Sequence, residues 1–163
     1  MKRVLLFALG IFLAGCASDG RNLRPGVSDA AAVRKDMGAP TETVKLSDGG
    51  QAWFYPKGMG RVTYRVELGP DDKVRAVDQV LDDYHFDRIQ AGKTTTAELR
   101  ALLGPPFYIW QLRNESVWEY RYLWAQNAPY TLRVGVGPND IVTGLMKVQE
   151  TDGGMGDSGG GKG

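Results

Sequence analysis

Hydrophobic and polar side chains alternate strictly along two stretches of this chain. The first apolar series is Val62, Tyr64, Val66 and Leu68, and the second is Tyr130, Leu132, Val134 and Val136. A period of two is typical of a β-strand with one buried face. Around these two strands the pattern predicts six more, separated by turn-forming residues, at 43–46, 51–55, 73–81, 107–112, 116–124 and 141–148. The chain is therefore predicted to form two antiparallel meanders.

Helical periodicity precedes each meander. The first predicted helix spans 28–37, with Ser28 as its N-cap and Gly38 as the residue that ends it. Thr94 or Thr95 can cap the second helix, and Thr95 together with Glu98 fits the capping box. This helix ends at Gly104-Pro105-Pro106. A helix that covers one face of an antiparallel sheet gives the α+β fold class, which we therefore predict.

The helix and the strands after it recur at a nearly constant spacing. Gly26, Gly38 and Pro40 reappear 66 residues later as Gly92, Gly104 and Pro106, while Trp53 and Tyr55 reappear 65 residues later as Trp118 and Tyr120. Matches over so long a period are typical of duplicated units. We predict a tandem duplication of a helix(-helix)–antiparallel sheet unit with three to four strands, the first repeat at 23–81 and the second at 82–149.

Two groups of aromatic residues stand out in the sequence. Four of them match between the repeats and are expected in the core beneath each helix: Trp53, Tyr55, Trp118 and Tyr120. Four others have no aromatic counterpart in the first repeat: Phe107, Tyr108, Trp110 and Trp124. We expect this second group at a seam between the repeats or on a partner-binding surface, and the sequence leaves both interpretations open.

Charged residues of the central strands should project from the sheet face opposite the helix. These residues are Arg65, Glu67, Glu119, Arg121 and Arg133. That face is a candidate surface for binding a protein partner. Its candidate residues are Arg65, Glu119, Arg121 and Arg133, together with Trp110 and Trp124.

The first 15 residues have the character of a secretory signal, with Lys2 and Arg3 before an apolar run too short to span a bilayer. The run ends in Leu-Ala-Gly-Cys16, which resembles the lipobox of bacterial lipoproteins. That resemblance implies cleavage before Cys16 and covalent diacylglycerol and N-acyl lipids, such as palmitate, on this cysteine. An ordinary signal peptide with an incidental cysteine is the alternative. Residues 16–22 are then a lipidated tether, and Ala17 implies delivery to the periplasmic side of the outer membrane.

The charge and the residue composition limit which ligands and reactions are expected. Without the signal segment the formal net charge falls from +1 to −1, which gives no global electrostatic case for nucleic acid. His85 is the sole histidine and Cys16 the sole cysteine, so we expect no catalytic, cofactor-binding or metal-binding residues. His85 is predicted in a short, solvated helix start with Phe86 and Ile89 packed inward. The glycine-rich segment 150–163 is predicted to be a disordered tail.

The repeated series of a glycine, a capping Ser or Thr, an apolar helix, Gly-x-Pro and Trp-x-Tyr resembles the BamE/SmpA (OmlA) family of outer-membrane lipoproteins. The likeness is clearest in Trp53-Phe54-Tyr55 and the hairpin from Val62 to Val77. It implies two helices on a three-stranded sheet and an accessory role in the β-barrel assembly machine, although BamE has one such unit. Two units in tandem are similar in architecture to the β-lactamase inhibitory protein, whose joined sheets form a concave binding face.

Two functions are therefore expected, and an enzyme is not. The first is a structural or adaptor lipoprotein of the outer membrane, accessory to β-barrel assembly, with an envelope protein as its partner. The alternative is a periplasmic protein-recognition or inhibitor module that uses the exposed sheet face. Neither function involves a small-molecule substrate or nucleic acid.

Overall fold

The computed structural model describes residues 18–150. Its helices are α1 (Ala30–Met37), α2 (Asp83–Phe86) and α3 (Thr96–Leu103). Its strands are β1 (Glu42–Lys45), β2 (Gln51–Lys57), β3 (Val62–Leu68), β4 (Val74–Gln79), β5 (Tyr108–Gln111), β6 (Ser116–Trp124), β7 (Ala128–Val136) and β8 (Val142–Gln149). The predicted signal segment, Cys16 and the glycine-rich tail beyond Glu150 lie outside the described residues.

The strands form two four-stranded antiparallel sheets, each with its strands in chain order. Sheet 1 contains β1 to β4, and with α1 it is called unit 1. Sheet 2 contains β5 to β8, and with α2 and α3 it is called unit 2. The α+β class predicted from the alternating pattern is confirmed, and each sheet has four strands.

One face of each sheet packs against a helix, and this contact forms the core of each unit. In unit 1, Val33 and Met37 of α1 lie against a cluster that includes Trp53, Tyr55 and Val66. In unit 2, the corresponding cluster contains Leu99, Leu103, Trp118, Tyr120, Leu132 and Val134. All four aromatic residues predicted for the core are buried, so that prediction is confirmed.

The two core tyrosines tie each sheet to the end of its helix. The Tyr55 hydroxyl donates to the Gly38 carbonyl at 3.4 Å, and the Tyr120 hydroxyl donates to the Gly104 carbonyl at 3.3 Å. Burial raises the pKa of Tyr55 to about 12 and raises the pKa of Tyr120 well above its ordinary value. Both phenols are therefore protonated donors at neutral pH.

The helix caps differ from the sequence prediction in one place. The N-cap of α1 is Asp29, whose carboxylate accepts the Ala32 N–H at 2.9 Å. Ser28, the expected cap, accepts the Arg24 N–H at 2.9 Å instead and closes the preceding turn. The capping box between Thr95 and Glu98 at α3 is present as predicted.

Residues 18–22, which the sequence analysis places in the tether, lie against α1. The Ser18 hydroxyl donates to Asp36 at 2.8 Å, and the Asn22 amide donates to the other oxygen of the same carboxylate at 3.1 Å. Gly20 between them is buried. Residues 18–22 are therefore packed against helix α1 of unit 1.

Candidate functional site

The face of sheet 2 opposite α3 forms an open groove. Across its middle, four residues lie in register on neighbouring strands: Trp110, Val117, Gly135 and Gly144. The two glycines carry no side chains, so the floor is lowest there, and Trp110 and Met146 rise on either side. The groove encloses about 580 Å³.

The walls of the groove are apolar and exposed. Trp110, Leu112 and Met146 each leave about half of their surface accessible to solvent. Tyr108 packs edge-on against Trp110, with ring centroids 4.7 Å apart. Single exposed apolar residues are common on protein surfaces, whereas a contiguous concave group marks a binding surface.

Glu119 and Arg133 form the polar part of the floor. They are direct cross-strand neighbours, and Arg133 Nε donates to Glu119 Oε1 at 2.8 Å. The Glu119 side chain is 11% exposed and the Arg133 side chain 44% exposed, so the guanidinium lies over the carboxylate. This charge-assisted hydrogen bond offsets the cost of burying Glu119. The groove thus combines apolar walls with one oriented polar pair, as binding sites commonly do.

The corresponding face of sheet 1 is covered by unit 2. Phe54 on β2 is fully buried, and a Cβ built on Gly104, just after α3, would lie 2.5 Å from Phe54 Cδ1. Beside this contact, Arg100 of α3 lies 2.9 Å from both carboxylate oxygens of Glu42 on β1. The end of α3 therefore covers the outer face of sheet 1, whereas no element within residues 18–150 covers the outer face of sheet 2.

Three of the six predicted partner-binding residues meet in the groove: Trp110, Glu119 and Arg133. Arg65 lies on the covered face of sheet 1, where it pairs with Glu67 at 2.8 Å and its side chain is only 14% exposed. Arg65 and Glu119 lie on the sheet face opposite the helix, as expected, but both side chains are largely buried there. The reason differs: unit 2 covers the face that carries Arg65, and Arg133 covers Glu119.

The remaining two candidates lie away from the groove. Arg121 places its guanidinium 3.8 Å from the centre of the Phe107 ring. Trp124, at the far end of β6, packs edge-on against Tyr130 with centroids 5.2 Å apart and is half exposed. The structure therefore does not bring these two side chains together with the groove residues.

The unmatched aromatic residues divide between the two expected roles. Phe107 lies at the seam, because a Cβ built on Gly60 of unit 1 would lie 2.9 Å from Phe107 Cδ2. Tyr108 and Trp110 line or border the groove, where they are half exposed. The seam interpretation therefore holds for Phe107, whereas Tyr108 and Trp110 are exposed and stay candidates for a partner-binding surface.

Sequence reasoning missed seven of the residues that line the groove, namely Leu112, Val117, Gly135, Thr143, Gly144, Leu145 and Met146. A signal for the glycines was present, since Gly135 and Gly144 both lie inside predicted strands. A glycine inside a strand often marks a place where a ligand or another backbone approaches closely. Leu112 and Met146 carried no such signal.

His85 is buried rather than solvated, which corrects the expectation for this residue. Its Nδ1 lies 2.6 Å from Asp82 Oδ1, and the same carboxylate caps α2 by accepting the His85 N–H at 3.0 Å. Phe86 and Ile89 pack inward as predicted. Within residues 18–150, no three His, Cys, Asp or Glu side chains are grouped so that they could hold a metal ion.

Comparison with known proteins leaves the groove as the main guide to function. No protein-family profile matches the chain, and no curated protein or solved structure matches it significantly. In the part of the chain from 18 to 150, no helix has both the length and the apolar character needed to cross a membrane.

Proposed function

We propose that this protein is a non-enzymatic outer-membrane lipoprotein that serves as a structural or adaptor component of the cell envelope and is accessory to β-barrel assembly. The observation that carries the proposal is the groove on sheet 2, which offers a preformed surface for a protein partner. Aromatic residues, methionine and arginine are the residue types enriched at protein interfaces. Trp110, Met146 and Arg133 supply all three within this groove.

Burial of the groove would provide the binding energy. Covering a half-exposed tryptophan and its apolar neighbours removes contiguous apolar surface from water, at about 25 cal/mol per Å². The groove is built on a four-stranded sheet, so little backbone ordering is required on binding. We expect Trp110 to be the main anchor of the interface, because tryptophan is enriched among the few residues that carry most of the binding energy at interfaces.

The lipid anchor is the second part of the proposal. Cys16 stands at the end of the lipobox-like segment, and Ser18, two residues later, already contacts α1. Two residues span at most about 7 Å. An acylated Cys16 would therefore hold unit 1 close to the membrane surface, as suits a protein that assists assembly in the outer membrane.

We also propose that the two units are copies of one ancestral unit. The N–H of Gly26 donates to Val74, and the N–H of Gly92 donates to Val142, both at 2.8 Å. Asp72 and Asp140 have matching positive φ values of 58° and 60° in the turns before these strands. Such shared backbone detail supports duplication, and the functional surface lies where the copies differ.

Crosslinking from two matched tryptophan positions tests the proposal. Trp110 in the groove and Trp124 at the far end of β6 are 51% and 50% exposed, so they offer the same residue type at equal exposure. A photo-crosslinking amino acid replaces one of the two tryptophans at a time, and each full-length variant is expressed in the cells that make the protein. We expect position 110, and not position 124, to capture a component of the outer-membrane assembly machinery.

If positions 110 and 124 captured the same partner equally well, the groove would not be the binding surface. Capture of only non-envelope proteins from position 110 would contradict the adaptor role. The alternative of a periplasmic recognition or inhibitor module uses the same groove without a need for the anchor. Replacing Cys16 with Ser distinguishes them: an adaptor loses its partner with the anchor, whereas a released recognition module keeps it.

A further inference from the structure

The contact between the two units is a template for what can cover the groove. On sheet 1, the outer face is covered by the end of α3 and the Gly104-Pro105-Pro106 turn that follows it. The groove occupies the corresponding face of sheet 2, since both faces lie opposite the helix of their own unit. The register agrees strand by strand: Glu42, Phe54 and Arg65 lie in one row of sheet 1, and Tyr108, Glu119 and Arg133 in the corresponding row of sheet 2.

The molecule also carries a free version of the covering element. Helix α1 ends in Gly38-Ala39-Pro40, and Gly38 has φ 85° and ψ −160°, against 80° and −157° at Gly104. Gly104 is buried at the seam, whereas Gly38 is exposed and a Cβ built on it meets no atom within 4 Å. Among residues 18–150, each chain therefore has one uncovered acceptor face and one uncovered helix end of the kind that covers such a face.

From this pairing we infer that the groove accepts the α1 end of a second copy of the chain, in a head-to-tail contact that repeats the seam within the chain. The contact is heterologous, so each dimer keeps one free groove and one free α1 end. Because a free groove remains for an envelope partner, self-association goes beyond the proposed function, and it rests on that function only for the membrane anchor that brings the copies together.

The ion pair of the internal seam has a cation–π counterpart in the inferred contact. Arg100, in the last turn of α3, reaches Glu42 on the edge strand β1. Its counterpart in α1 is Arg34, which is exposed. The position of Glu42 is taken in sheet 2 by Tyr108, whose ring face can receive a guanidinium through a cation–π contact. The rim of the groove thus keeps a group that attracts an arginine.

The floor differs in a way that makes the contact weaker than the internal seam. Gly104 packs on the buried ring of Phe54, whereas Gly38 of a second copy would approach the Glu119–Arg133 pair. Trp110 and Met146 would supply the apolar contact at the sides of the groove. A reversible dimer, favoured by confinement of anchored copies to one membrane, is therefore expected rather than a permanent one.

Disulfide crosslinking between differently tagged copies tests the inference. One copy carries Ala39→Cys beside the α1 end, and the other carries Met146→Cys in the groove, both as full chains in the native membrane. We expect a mixed dimer from this pair. A matched control replaces Met146→Cys with Gln126→Cys, an exposed position on the turn after β6, and should give little mixed dimer.

A second variant separates specific docking from chance collision. Trp110→Ala in the Met146→Cys copy should reduce the mixed dimer about tenfold, as loss of an interface anchor does, whereas Trp124→Ala should leave it unchanged. Melting temperatures confirm that each variant is folded. Three results would overturn the inference. The mixed dimer is absent, or the control pair gives an equal yield, or the disulfide forms between two copies that both carry Met146→Cys. Capture of an envelope protein at position 110 is scored separately and tests only the proposed function.

Discussion

Two glycines with the same backbone conformation show how surroundings decide the role of a residue. Gly38 and Gly104 both end a helix with φ near 80°, a region that is nearly closed to other residues. Gly38 faces open space, whereas Gly104 lies against the ring of Phe54. The first glycine is required only by its backbone, and the second also by the close approach of unit 2 to unit 1.

This difference predicts unequal costs for the same substitution. Gly38→Ala should lower the free energy of unfolding by about 1–3 kcal/mol, from backbone strain alone. Gly104→Ala should cost about 1–3 kcal/mol more, because its Cβ overlaps Phe54. Urea unfolding of both variants measures the difference. Equal losses would mean that the seam can shift apart without cost, and Phe54→Leu should recover part of the loss only in the Gly104→Ala variant.

Two tryptophans of β6 give a similar comparison between core and surface. Trp118 is buried, its indole N–H donates to Ser116 at 3.1 Å, and Arg100 lies 5.0 Å from its ring. Trp118→Ala should lower the free energy of unfolding by about 3–5 kcal/mol. The half-exposed Trp124 should cost less than half as much on the same change. Thermal and urea unfolding check this, and a folded Trp118→Ala variant with an unchanged melting temperature would contradict the core assignment.

At the scale of elements, α3 is better capped than α1. Thr95 accepts the Glu98 N–H at 3.2 Å while Glu98 accepts the Thr95 N–H at 2.8 Å, so two donors of the first turn are satisfied. Helix α1 relies on Asp29 alone for its side-chain cap. Since α3 also bears the seam with sheet 1, its capping supports the contact between the units.

Thr95→Ala should therefore destabilise the protein by about 1 kcal/mol, the usual cost of losing an N-cap. The neighbouring Thr96→Ala is the matched control, because Thr96 is the first residue inside the helix and alanine favours helix. We expect its effect to be within about 0.5 kcal/mol of zero. Chemical unfolding of both variants compares them, and similar losses would show that the box contributes nothing measurable.

The elements were predictable from sequence because each one depends on local patterns. Alternation identified the strands, and Gly38 and Gly104 marked the helix ends. The covered face of sheet 1 was not predictable in this way. Alternation shows that one face of a strand is buried by its own helix, but Ala52 and Phe54 are buried on the other face by a unit about 50 residues away along the chain.

The groove was partly predictable for the same reason. Trp110, Glu119 and Arg133 could be assigned to the outer face from the strand period. Met146 and the two glycines could not be joined to them, because their proximity depends on the register between β7 and β8. Register is set by pairing across the sheet and not by the sequence of either strand alone.

At the scale of the whole molecule, Glu150 forms a second contact between the two units. Glu150 follows β8 of unit 2, and Arg61 of unit 1 donates to its carboxylate at 2.6 Å. Thr131 donates to the other oxygen at 2.8 Å, and Arg121 lies 3.8 Å away. The carboxylate thus joins Arg61, just before β3, to Thr131 and Arg121 of sheet 2. This contact is separate from the one that α3 makes with sheet 1.

This contact predicts a pH-dependent part of the stability. Burial alone would raise the pKa of Glu150, but hydrogen bonds from Arg61 and Thr131 outweigh it and hold the pKa below its ordinary value of 4.5. A carboxyl whose pKa is lowered on folding stabilises the protein above its unfolded pKa and loses that contribution as the pH falls through the folded value. Glu150→Gln should therefore cost on the order of 1 kcal/mol at neutral pH, and its cost should shrink as the pH falls below the ordinary carboxyl pKa of 4.5. Urea unfolding between neutral and acidic pH measures the difference between the two proteins.

An Arg61→Gln background is the control for this prediction. In that background the Glu150→Gln effect should be smaller and depend less on pH. An undiminished effect would assign the stability to Thr131 or Arg121 and not to the contact between the units.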